Sequence, residues 1–163
     1  MPIPVKVLNH LKKSKTPHEI IEHKTVFTAY DLAQTLREKL SNIAKTLFIK
    51  VDKEYKVIVI PAHYRLDIQK LKKLLKAKKI SIASEKDMQK QLKVKPGALS
   101  PFGSVYKVGV VVDKSLEKLQ KAIFQAGSFT ESFRMKVKDF IKLEQPVVGR
   151  FVVKPVKAKP KKK

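Results

Sequence analysis

The chain has 163 residues, with 37 Lys and Arg against 14 Asp and Glu, and a net charge of +23. It has no cysteine, which excludes disulfides, thiolate metal sites and cysteine nucleophiles, and it has no apolar stretch long enough to span a bilayer and no signal-peptide core. A charge imbalance this large attracts polyanions, nucleic acid first and an anionic membrane surface second.

In chain order, residues 5–11 place Val7, Leu8 and Leu11 on one helical face, and Pro17 ends that segment. Residues 18–23 read as a short strand. Thr28, followed three positions later by Asp31, has the form of a capping box; the helix behind it carries Leu32, Leu36 and Leu40. Two apolar, β-prone runs at 46–49 and 57–60 flank a turn containing Asp52, Lys53 and Glu54, which predicts a hairpin. Residues 66–79 predict an amphipathic helix with Ile68, Leu71 and Leu75 inward and Lys70, Lys72, Lys73, Lys76 and Lys79 outward. A strand at 80–82 precedes a second capping signal, Ser84 to Asp87, and a helix with Met88 and Leu92.

After a Gly/Pro-rich segment, residues 105–112 predict a long apolar strand and 114–119 a helix. Residues 122–124 read as a strand ending near Gly127, and Phe133 and Met135 alternate with polar residues as a strand should. A short helix at 137–143 and an edge strand at 147–153 close the body. Helices and strands are interspersed without regular βαβ order, so the expected fold is α+β with a mixed sheet. Residues 1–153 are expected to form a single domain, because a chain of this length buries about 70% of its unfolded surface. Residues 154–163 hold six lysines, two prolines and no acid; they are expected to form a flexible basic tail.

The segment Lys95-Pro96-Gly97-Ala98-Leu99-Ser100-Pro101-Phe102-Gly103 concentrates two glycines in a chain that has five. Glycine permits close backbone approach and proline fixes φ. The segment therefore reads either as a tight turn or as a rigid loop presenting backbone groups to a small polar ligand. Lys45, at the start of an apolar strand, either extends past the edge into solvent or faces a pocket. Gly127-Ser128 reads as a hairpin turn or as a second backbone wall of that pocket. His10, His18, His23 and His63 show no metal-ligand spacing and read as structural or surface residues. The spacings do not support a serine–histidine–carboxylate triad, and no P-loop or dinucleotide fingerprint is present.

Taken in order, several segments resemble the YbaK and prolyl-tRNA-synthetase-associated editing domains. They are Val26-Phe27-Thr28-Ala29, Ala44-Lys45-Thr46-Leu47, Ile60-Pro61-Ala62 with Arg65-Leu66-Asp67, Ala83-Ser84-Glu85, Gly97 through Gly103, and Ala126-Gly127-Ser128. The resemblance runs from about Val26 to Phe151. It implies a partly closed mixed β-sheet or barrel with flanking helices, and a cytoplasmic trans-editing deacylase that hydrolyses the ester of mischarged tRNA, on substrates like Ala- or Cys-tRNA(Pro). It implies a catalytic role for Lys45, Gly97 and Pro101, with Lys45 on the terminal adenosine phosphate or the aminoacyl group. Thr28, Ala98, Leu99, Ser100, Phe102, Gly127 and Ser128 would line the substrate pocket.

Phe129 and Glu131 stand where many members carry the histidines of a Gly-Thr-His-x-His-Ser pattern. That departure is expected to reshape the acyl pocket, with Glu131 pairing with the substrate ammonium; a solvent-facing strand residue is the plain alternative. The implied partners are the tRNA acceptor end and an aminoacyl-tRNA synthetase, with no cofactor, metal or membrane. Lys70, Lys73, Lys76, Lys154, Lys157 and Lys159 would hold tRNA phosphates without reading sequence. A non-catalytic tRNA- or RNA-binding module of the same fold is the alternative function, and a nucleoid- or ribosome-associated basic protein is the third.

Overall fold

The computed structural model describes residues 3–93 and 99–154. Gly97, Ala98, Lys157 and Lys159 lie outside the described residues. The N-terminal helix α1 (Val5–Ser14) turns Val7 and Leu11 inward and ends at Lys15 in the left-handed region, before Pro17. Strand β1 (Glu19–Glu22) follows. Helix α2 (Ala29–Leu36) is capped as expected, the Thr28 hydroxyl accepting the Asp31 amide at 3.0 Å. The hairpin is β2 (Ile43–Val51) and β3 (Glu54–Pro61), paired along its whole length.

Strand β4 (Arg65–Leu66) leads into α3 (Ile68–Leu75), which is shorter than the periodicity suggests. Asp67 caps its start by accepting the Lys70 amide at 3.1 Å. Its end is set by tertiary contact: the Asp52 carboxylate accepts the amides of Lys78 and Lys79 at 3.0 and 2.9 Å and draws that backbone into a turn. Strand β5 (Ile80–Ile82) and α4 (Glu85–Leu92), capped by Ser84, match the sequence pattern.

The run 105–112 divides. Its first part belongs to a one-turn helix, α5 (Gly103–Tyr106), and only the second part is strand β6 (Gly109–Asp113). Gly103 permits this, because a Cβ there would collide with the Val110 side chain and the Val108 carbonyl. The acceptor for the second α5 amide comes from a distant residue, since Glu144 Oε1 takes the Ser104 N–H at 3.0 Å. A 3₁₀ turn (Lys114–Lys118) stands where a helix was expected. Then come β7 (Lys121–Gln125), β8 (Glu131–Lys136) and α6 (Val137–Glu144). The expected edge strand splits into β9 (Val147–Gly149) and β10 (Val152–Val153). Phe151 between them is fully buried, and its amide is held by Asp113 Oδ1 at 2.7 Å.

Eight strands form one mixed sheet in the order β1-β8-β7-β2-β3-β6-β9, with β5 also paired to β2; β10 and β4 pair separately. The sheet is open, so barrel describes it only loosely. Alternation along β2 and β3 separates two faces. Ala44, Phe48, Val57 and Val59 face a core that holds Val7 and Leu11 of α1, Phe102 and Phe140 of α6. Ile58 and Ile60 face the other way, toward Leu71 of α3, and Ile43 packs with Leu32 and Ala33 of α2. No helix among the described residues is long and apolar enough to cross a membrane.

Candidate functional site

Strand β2 has continuous pairing on its β3 edge but a gap on the other. There β7 pairs only with Ile43 and Ala44, and β5 only with Ile49 to Val51. The Phe48 carbonyl accepts the Ala83 amide at 2.9 Å, so the stretch without a strand partner is Lys45, Thr46 and Leu47. Lys45 is exposed at this notch. Its register partner is Ile60, which puts it on the α2/α3 face, where the clusters around Ile43 and Ile60 adjoin. Thr46 points to the opposite face, and its hydroxyl is buried with no hydrogen-bond partner.

A row of polar side chains extends from Lys45 across the sheet. Ile43 pairs with Ile123 in parallel register, and two residues further on each strand, past the last β2–β7 pair, Lys45 and Gln125 point to the same face. Gln125 pairs with Ser132, and Ser132 with Ile21. The Ser132 hydroxyl, fully buried, lies 2.8 Å from His23 Nε2. Gln125 is 8% exposed and its Nε2 has no hydrogen-bond partner among the described residues. A buried donor left unpaired costs about 1–3 kcal/mol, so it marks a place where a ligand acceptor would be welcome. Gln125 and Ser132 carry no motif in the sequence, and His23 reads there as a structural or surface residue. Period-two alternation would have put Gln125 and Ser132 among core positions, a polar signal in an apolar pattern, but the strand pairing that joins them is non-local.

The late turn supports this row. Gly127 has φ 82°, a conformation open to glycine. Ser128 Oγ accepts the amides of Thr130 and Glu131 at 3.1 and 3.0 Å, which fixes the turn. Phe129 lies against Phe27, with ring centroids 5.0 Å apart, and its carbonyl accepts the Val26 amide at 2.8 Å. Phe129 therefore joins the turn to the segment that opens α2, beside Thr28. Glu131 points to the opposite face from Ser132, where its Oε1 accepts the Ile3 amide at 2.9 Å.

The described end of the Gly/Pro loop has a different character. Leu99, Ser100, Pro101 and Phe102 are buried, and Leu99 and Phe102 belong to the core on the α1 side. Their polar groups are largely satisfied. The Ser100 amide donates to the Tyr106 hydroxyl at 2.9 Å, the Tyr106 hydroxyl donates to Ser100 Oγ at 3.0 Å, and the Gly103 amide donates to the Pro101 carbonyl at 3.0 Å. Burial raises the Tyr106 pKa, with the Ser100 hydrogen bonds opposing it. Leu99 and Phe102 thus sit in the core on the face opposite Lys45.

Among the described residues, Lys70, Lys73 and Lys76 are exposed on α3 and make no ion pair within 4.0 Å. Lys154 is exposed beyond β10, near His63, whose pKa is lowered by burial and then by the Lys154 charge. No group of three or more metal-ligating side chains occurs among the described residues. A serine, a histidine and a glutamate do converge elsewhere, at Ser104, His10 and Glu144, but the hydroxyl and the carboxylate both meet His10 Nε2. A relay needs them on different ring nitrogens. A cleft of about 410 Å³ lined by Leu119, Lys136, Lys138 and Ile141 lies between the 3₁₀ turn and α6, away from Lys45.

Comparison with known proteins matches residues 23–143 to the model of the aminoacyl-tRNA editing domain. The chain is 33% identical over 116 residues to the prolyl-tRNA editing protein ProX of Acetoanaerobium sticklandii, covering 68% of this chain and 71% of ProX. It is 30% identical over 116 residues to a proline–tRNA ligase of Macrococcus caseolyticus, where the match covers 69% of this chain and only 20% of the ligase. The fold is similar to that of the hypothetical protein APE2540, at a TM-score of 0.83 and 21% identity, covering 91% of this chain and 99% of the other. It is also similar to a candidate trans-editing enzyme for prolyl-tRNA synthetase, at 0.79 and 19%, covering 90% and 94%. At those identities the two structures speak to fold alone.

Proposed function

The chain belongs to the aminoacyl-tRNA editing domain family, and from that premise we propose that it hydrolyses the ester of mischarged tRNA in trans, on substrates such as Ala- or Cys-tRNA(Pro). The observation that supports this reading is that Lys45 and the buried Gln125 amide, which has no partner among the described residues, lie on the same face of the sheet just past the last β2–β7 pair. Lys45 supplies a point charge for the phosphate of the terminal adenosine. Gln125 Nε2 supplies a hydrogen bond to the ester carbonyl, which strengthens as the oxygen gains charge in the tetrahedral intermediate. The attacking oxygen comes from water, which the free hydroxyl of the terminal ribose helps to activate. The amino acid leaves and the tRNA keeps its hydroxyl.

The amides of Ser100 and Gly103 are engaged within the protein. Stabilisation of the oxyanion therefore falls to Gln125 and to Gly97 and Ala98, which lie outside the described residues. Pro101 shapes the loop from its buried base. Phe129, packed on Phe27, limits the acyl group from the α2 side, and Glu131 influences it through the turn it helps to hold. Lys70, Lys73, Lys76 and Lys154, with Lys157 and Lys159 of the tail, bind acceptor-stem phosphates. A synthetase that releases the mischarged tRNA is the fitting partner, and the cytoplasm the fitting place.

Deacylation of Ala-, Cys- and Ser-tRNA(Pro) by wild type and Lys45→Ala tests the reading. Hydrolysis of one ester, reduced about 100-fold in the variant, supports it. Tight tRNA binding without turnover of any ester points to the RNA-binding module.

A further inference from the structure

Helix α1 and Glu144 lie outside the segment that matches the editing family, residues 23–143. Both touch the candidate site from behind. The Ile3 amide, just before α1, donates to Glu131 Oε1 at 2.9 Å, at the end of the late turn. One helical face further along, His10 Nε2 lies 2.6 Å from Glu144 Oε2 and 3.1 Å from Ser104 Oγ. The Glu144 side chain is fully buried. It takes the Ser104 hydroxyl at 2.9 Å and the Ser104 amide at 3.0 Å. The His10 ring also meets Phe102 edge-on, 5.3 Å between centroids. Val7 and Leu11 anchor the helix in the same core as Phe102 and Phe133.

We propose that α1 is a brace that fixes the spacing between the late turn and the base of the Gly/Pro loop, with His10 and Glu144 as positioning residues. Ile3 precedes α1 by two residues and His10 lies about 8 Å along the helix from Val5, so one contact stands at the helix start and the other further along it. A buried carboxylate with three donors is expensive to disturb, because losing one leaves charge unpaired in the interior. The Ser100–Ser104 backbone therefore keeps one position. The catalytic part of this inference rests on the deacylase reading; the mechanical part does not.

The test combines amide hydrogen exchange with single-turnover deacylation of mischarged tRNA(Pro), on wild type, His10→Ala, His10→Gln and Ser104→Ala. In His10→Ala, exchange at residues 100–104 rises at least about tenfold while β2, β3 and β6 keep their protection. Its kcat falls about tenfold with KM within about twofold, as for a misplaced wall. His10→Gln, whose Nε2 can donate to Glu144, restores both. Ser104→Ala, exposed and conservative, reproduces the local exchange effect if His10→Ala fails to fold. Unchanged exchange at 100–104, an equal rise across the sheet, or a local rise with unchanged kcat would each overturn the brace. A wild type inactive on every ester overturns the deacylase reading alone, and the exchange result then decides the brace by itself.

Discussion

The two sides of the β2 notch are built on opposite terms. On the α2 face, Lys45 is exposed, Gln125 keeps a buried donor unpaired, and a polar row runs on to Ser132 and His23. On the α1 face, Leu99 to Phe102 are buried, Ser100 bonds Tyr106, and Ser104 bonds Glu144. An unpaired donor lowers stability and is ready for a ligand; a satisfied network raises rigidity and has little left to offer one. Under the proposed function, chemistry falls to the first side and support to the second.

The largest expected effect breaks the supporting side. Phe102 is fully buried and stacks on Phe133, with ring centroids 5.2 Å apart. Phe102→Ala should cost about 3–5 kcal/mol in urea unfolding; a loss under about 1 kcal/mol would show that the loop base is not core. Gln125→Met acts the other way on the first side. It should lower deacylation about 100-fold, yet raise stability by about 1 kcal/mol, because it removes an unpaired buried amide. A destabilised but active variant would reverse the assignment.

Charge changes on α3 should be milder. Replacing Lys70, Lys73 and Lys76 by Ala should weaken all tRNAs alike and reduce the slope of log affinity against log salt by about 2. Loss confined to one tRNA would mean that these lysines read sequence. The smallest effect concerns His63. Its NMR titration should fall below 6.5, because burial first and Lys154 second disfavour the imidazolium. A group with a depressed pKa stabilises the fold above its unfolded value, and this contribution is lost as pH falls through the folded value. Stability should therefore decline slightly below pH 6.5, and Lys154→Ala should move the midpoint upward. A midpoint above 6.5 would place His63 in contact with an acidic group instead.

Much of this was legible in the sequence where the signal is local. Thr28 and Ser84 sit at helix starts and cap them, and the Asp52-Lys53 turn lies inside a hairpin; Asp67, inside the run read as helix from Leu66, turns out to be the cap. The failures are tertiary. The apolar run 105–112 looks like one strand, but Glu144, forty residues away, supplies the acceptor that turns its beginning into helix. Residues 66–79 look like one helix, but Asp52 redirects the end. At the site, the segments around Lys45, Gly103 and Gly127 were visible as motifs. Their division between two faces was not, because it depends on the β2–β7 register. Gln125 and His23 were passed over for the same reason: each gains its meaning from a strand far away in the chain.

The most direct measurement is a double-mutant cycle on Lys45→Ala and Gln125→Met, read as single-turnover deacylation of one mischarged tRNA(Pro). Two groups acting on one substrate share its stabilisation, so the double variant should lose much less than the product of the single losses. Losses that simply multiply would mean that Lys45 and Gln125 do not act together, and the polar row would not be the seat of the chemistry.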